Sequence, residues 1–116
     1  MEPPFDLEER TFEFAKAVRL FARSLPRTVA NLEDVRQLIR SSGSVGANYR
    51  EANEALSRKD FLLRIRISRK EAKECEYWLK LIQETNTLND SQTADRLLRE
   101  ARELTKILSS IVAKSA

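Results

Sequence analysis

The sequence predicts an all-α protein, an antiparallel up-down-up-down four-helix bundle that forms the protomer of a homo-oligomer. Three observations lead there. Apolar residues recur at spacings of three and four along four separate segments. Only two glycines and three prolines interrupt 116 residues. The β-branched and aromatic residues are too sparse and scattered to build a sheet. A chain of this length has room for one core and not two, so residues 1–116 read as a single domain.

The first helix is expected over about 7–25. Asp6, followed by Glu9, reads as a capping box after the breaker Pro3-Pro4. Leu7, Phe14, Val18, Phe21 and Leu25 then line one face until Pro26, which lacks an N–H, ends the run. The second helix is expected over about 31–56, starting near Asn31. Its stripe is Val35, Leu38, Ile39, Ser42, Val45, Gly46, Tyr49, Ala52 and Leu56, with Asn53 inside it and in need of a partner if buried. The segment from Ser41 to Gly46 has the composition of a loop, since each glycine costs a helix about 1 kcal/mol against alanine. The stripe nevertheless keeps its phase across it. That favours one long helix whose small residues admit a close neighbour.

Ser57 with Asp60 opens the third helix, expected over about 58–84, and the polar stretch from Thr85 to Asp90 forms the next turn. The fourth, about 91–113, carries Ala94, Leu97, Leu98, Ala101, Leu104, Leu108, Ile111 and Val112 on one face. Both ends are expected to fray.

Composition removes most chemistries. The chain has no histidine, which deprives triads, Glu-x-x-His di-iron sites and histidine-dependent helical ribonucleases of an essential residue. Gly43 and Gly46 match neither a P-loop nor a dinucleotide fingerprint. The single Cys75 excludes an internal disulfide and reads as a small core hydrophobe. The expectation is a protein that is not an enzyme and has no cofactor, no metal and no catalytic residue. No apolar run approaches the roughly 18 residues of a membrane span, and the acidic start is unlike a secretory signal, so a soluble, cytoplasmic protein with no membrane partner is expected.

Helix three carries more than one apolar face. Phe61, Ile65, Ser68, Ala72, Cys75, Leu79 and Ile82 form a core stripe. A second stripe, roughly 120–160° away on the helix, holds Leu63, Ile67, Glu74, Trp78 and Leu81, with Tyr77 beside it. Self-association would bury this second stripe, and so would another helix of the same bundle. On helix two, Ser44, Asn48 and Glu51 lie opposite the apolar stripe, either as a solvated face or as a contact surface for a partner.

Between the two stripes of helix three run Lys59, Arg66, Arg69, Lys70, Lys73 and Lys80, and Arg36 and Arg40 add charge on helix two. One reading is a solvated face with Lys73–Glu76 and Glu76–Lys80 pairs. The other is a surface for phosphate backbones, multiplied by oligomerisation into a basic band. The net charge of +3 is mild, and only Tyr77 is interleaved with these cations for base stacking.

The segment from Gln37 to Ala52, QLIRSSGSVGANYREA, resembles the signature of a four-helix-bundle family first recognised as proteins encoded by intervening sequences in bacterial 23S rRNA genes. The resemblance continues through Ser57–Phe61 and Lys70–Leu79 and covers about 30–85. Ala52 stands where relatives often carry glycine. The resemblance implies a bundle that assembles into a ring-like homo-pentamer. Relatives include the accessory variability proteins of diversity-generating retroelements, which bind nucleic acid through a basic surface and bind a reverse transcriptase. The partners implied are therefore a second copy of the chain, RNA or DNA, and a reverse transcriptase or other protein.

Overall fold

Asp6 caps the first helix by accepting from the Glu8 and Glu9 backbone N–H groups, at 3.0 and 3.4 Å. It is the first residue described in the computed structural model, which covers residues 6–116; Pro3 and Pro4 lie outside it. Four helices follow, α1 (Leu7–Arg23), α2 (Val29–Asn53), α3 (Arg58–Thr85) and α4 (Ser91–Ser115). They form an antiparallel bundle with extents of 45 × 29 × 19 Å. Each helix touches its two neighbours around the square, and the diagonal pairs α1–α3 and α2–α4 do not meet among the described residues.

Side-chain caps set the other three starts as well. Thr28 accepts from the Asn31 N–H at 3.1 Å, Ser57 from Asp60 at 3.0 Å and Asp90 from Thr93 at 3.2 Å. The Thr93 hydroxyl also holds the Asp90 carboxyl below its ordinary range. The second helix therefore begins at Val29, two residues before the expected Asn31. Asn31 instead lies buried and pairs with Asn86 across the open end of the bundle, at 2.8 and 2.9 Å in the two directions. The same helix stops at Asn53, and the turn after it leaves Leu56 fully exposed rather than in the core. Asn53 is also exposed and donates to Glu8 at 2.9 Å.

The α2 helix runs unbroken through Gly43 and Gly46. The small residues there serve two interfaces. Toward α1, a Cβ on Gly46 would stand 2.9 Å from the Thr11 Oγ1, so only glycine allows this approach. Toward α3, Ser41 is buried with its hydroxyl turned back onto the α2 carbonyl of Gln37, and Ser42, also buried, donates to the Ile39 carbonyl of its own helix. From the other side, the buried Ser68 donates to the Val45 carbonyl at 2.7 Å. Short hydroxyl side chains let α2 and α3 pack closely without stranding polar groups.

The core joins Phe14, Val18 and Phe21 of α1 to Leu38 and Val45 of α2, Ile65, Leu79 and Ile82 of α3, and Leu104 and Leu108 of α4. The α1–α4 contact is the slightest of the four. A forked ion pair spans it, with Arg10 Nε 2.6 Å and Nη2 2.8 Å from the two Glu100 oxygens.

Candidate functional site

Helix α3 packs on α2 along one flank and on α4 along the other. This leaves an outward sector for charge and a flank beside α2 for the second apolar stripe. The outward sector holds Lys59, Arg66, Lys70, Lys73 and Lys80, all exposed, with Arg69 half-buried at its edge. None of these cations forms an ion pair among the described residues. The pairs expected through Glu76 are not made. Glu76 turns to α4 instead and accepts from the Thr105 hydroxyl at 2.7 Å. Arg36 and Arg40 of α2 are exposed but engaged locally, Arg36 with Glu33 at 3.8 Å and Arg40 with Gln37 at 2.9 Å.

The flank beside α2 divides the second stripe. Trp78 packs against the core with its ring half-buried, and Ile67, Glu74 and Leu81 are also half-buried. Leu63 and Tyr77 stay 52% and 60% exposed. Tyr77 meets Trp78 edge to face at a centroid distance of 5.0 Å. Internal burial thus accounts for part of the stripe and leaves Leu63 and Tyr77 to the surface.

Ser44, Asn48 and Glu51 do not lie on a free face opposite the α2 core. Ser44 and Asn48 are half-buried, and Arg64 of α3 donates to the Asn48 Oδ1 at 3.2 Å. Asn48 also donates to the Ser44 carbonyl at 2.9 Å, so its amide is engaged inside the protomer. Of the three, only Glu51 is exposed. By helix geometry they border the second stripe of α3 along the α2–α3 seam, which the Arg64–Asn48 bond crosses.

Glu71 belongs to neither apolar stripe of the sequence, yet it is only 7% exposed. Its Oε1 and the Trp78 Nε1 are buried without hydrogen-bond partners. By helix geometry both project from the same flank of α3. The signal in the sequence is the phase of residue 71, which falls between the two stripes. Nearby, the Cys75 thiol donates to the Ser41 hydroxyl at 3.4 Å, and burial pushes its pKa up to about 12. A thiol held so firmly in its protonated form is a poor nucleophile.

Among the described residues, no group of His, Cys, Asp or Glu side chains is arranged to hold a metal ion. No helix there is long and apolar enough to cross a membrane.

The chain is similar in structure to a protein of unknown function from the S23 ribosomal protein family of Bacteroides thetaiotaomicron VPI-5482, known from a crystal structure. The two share 33% identity and a TM-score of 0.82, over 92% of this chain and 98% of that one. No curated protein matches the sequence. The family model described as 23S rRNA-intervening sequence protein matches residues 5–110. With nearly the whole chain matched, this protein belongs to the family of 23S rRNA-intervening sequence proteins.

Proposed function

We propose that this protein is a non-enzymatic homo-oligomer, a pentamer, that serves in the cytoplasm as a nucleic-acid-binding accessory. The basic stripe of α3 contacts phosphates, with Lys59, Arg66, Arg69, Lys70 and Lys73 as its main cations and Arg36 and Arg40 as flanking charges. One observation carries this reading: among the described residues the α3 cations make no ion pair, and Glu76, spaced to meet Lys73 and Lys80, accepts from Thr105 instead. An unpaired stripe is free to exchange its counterions for a phosphate backbone.

The oligomer part rests on the α2–α3 seam. Leu63 and Tyr77 remain about half exposed there, and Tyr77 lies against Trp78, whose indole N–H is buried without a partner among the described residues. Burying large apolar side chains of this kind is worth about 1.5–3 kcal/mol each. The subunit count of five follows the resemblance of the Gln37–Ala52 segment, as does a reverse transcriptase or other protein as a further partner. Light scattering tests the assembly: a monomeric mass at micromolar concentration contradicts it, and Trp78→Glu shifts a true oligomer to smaller species. Failure of RNA and DNA to bind at low ionic strength, with the oligomer intact, would leave a protein-interaction scaffold as the better account.

A further inference from the structure

On the side of the bundle away from α3, a groove of about 560 Å³ runs between α1 and α2. Its floor is low because Gly43, Gly46 and Ala47 of α2 present almost no side chain there. Its α1 wall carries Phe12 and Leu20, which are 53% and 52% exposed. Eight residues separate them, about 12 Å along the helix. This is close to the span of about 10.5 Å between anchors at i and i+7 on a second helix laid in the groove.

The charge around this apolar strip is of one sign. Lys16, Arg19, Arg23 and Arg50 line the groove, and no carboxylate does among the described residues. Arg50 is paired with Glu8 at 3.3 Å, whereas Lys16, Arg19 and Arg23 form no ion pair among the described residues. Arg19 instead donates to the Ala15 carbonyl at 3.1 Å, and its guanidinium lies over Gly43, where a Cβ would meet it at 3.5 Å.

These features discriminate between occupants. A phosphate backbone would satisfy the cations but leave Phe12 and Leu20 wet. A second copy docked two-fold through the same face would set the cations against one another, and a ring neighbour seated here would make the oligomeric mass depend on these residues. An amphipathic helix with acidic edges satisfies both requirements, placing apolar side chains against Phe12 and Leu20 and carboxylates against the flanking cations.

We propose that the α1–α2 groove is a docking site for an acidic amphipathic helix of a partner protein. The site is separate from the α3 stripe, since α1 and α3 lie on a diagonal of the bundle and the stripe faces outward from α3.

The test is selection of a displayed library of 18-residue helical peptides, randomised at all outward positions, on the full-length protein. The selected peptides should carry apolar residues at i, i+4 and i+7 flanked by Asp or Glu. Measured by fluorescence anisotropy, the best of them should bind at least tenfold more weakly to Lys16→Glu/Arg19→Glu/Arg23→Glu. The neutral variant Phe12→Gln/Leu20→Gln should lose a similar factor, and Arg66→Glu/Lys70→Glu/Lys73→Glu should bind as the parent does. Failure to enrich any peptide, enrichment without acidic residues, or binding that survives the α1 variants would each overturn the proposal. So would a fall in oligomeric mass on the α1 substitutions, which would place a neighbouring subunit in the groove, or tight, variant-sensitive binding of phosphatidylglycerol vesicles or a single-stranded RNA 20-mer in place of the peptide.

Discussion

The Thr11 hydroxyl of α1 is held 2.6 Å from the Leu7 carbonyl, in the space that a Cβ on Gly46 of α2 would need. Gly43, one turn earlier, faces only the flexible end of Arg19. The two glycines therefore predict opposite outcomes for the same substitution. Gly46→Ala gains about 1 kcal/mol of helix propensity but meets an overpacking cost of about 1–3 kcal/mol, since Thr11 is fixed by its own hydrogen bond. It should lower stability, by about 1 kcal/mol net. Gly43→Ala should raise stability by about 0.5–1 kcal/mol. Urea midpoints at unchanged m-value measure both, and an equal gain for the two variants would refute the close approach.

Asn31 and Asn86 exchange hydrogen bonds between the start of α2 and the end of α3, and Asn31 also reaches the Pro26 carbonyl at 2.9 Å. Asn31→Ala leaves both acceptors without this donor, at a cost of about 1–3 kcal/mol. A double-mutant cycle with Asn86→Ala should return a coupling of about 0.5 kcal/mol or more. Additive single effects would show that the pair does not act as a unit.

Cys75 is fully buried, and its raised pKa adds a chemical barrier to the steric one. The native protein should react with a thiol reagent at pH 8 at least a hundredfold more slowly than the urea-unfolded chain. The sign of the pH effect is fixed. The unfolded thiol loses its proton near pH 9 and the folded one only near 12, so the Cys75 contribution is full below pH 9 and declines as pH rises toward 12. Cys75→Ala should remove this part of the alkaline decline, and an unchanged decline would show that other groups cause it.

Glu71 buries a carboxylate oxygen without a partner. Replacing such a group with an apolar side chain of similar length is neutral or stabilising. Glu71→Met should therefore raise the stability of the protomer by about 1 kcal/mol. A loss of that size in thermal or urea unfolding would mean that the carboxylate makes a stabilising interaction.

The repeat of apolar residues makes the bundle legible, and each core stripe of α1 and α4 lies inward with only Ile111 less than buried. Reading α2 as continuous through its glycines also agrees with the structure, because the phase of the stripe outweighs local composition. The ends are harder. Thr28 does not stand out as the cap because Asn31 is equally suitable by residue type, and Leu56 keeps the phase of the core although the helix has already stopped. Partner choice is harder still. Helical spacing places Glu76 beside Lys73 and Lys80, but which of its neighbours it meets depends on α4, and Thr105 is distant in sequence. The engagement of Asn48 by Arg64 is hidden for the same reason. The α1–α2 groove combines side chains of two helices and leaves no signal in either one alone.

Phosphate binding by the unpaired cations of α3, as proposed, is read out by the salt dependence of binding to a fluorescent single-stranded RNA, for the parent and for Arg66→Glu/Lys70→Glu/Lys73→Glu. Affinity of the parent should fall steeply and log-linearly with salt, with several phosphates neutralised. The variant should bind at least tenfold more weakly at low salt and with a shallower slope, at an unchanged oligomeric mass. Equal affinity and equal slope for the two proteins would contradict the account.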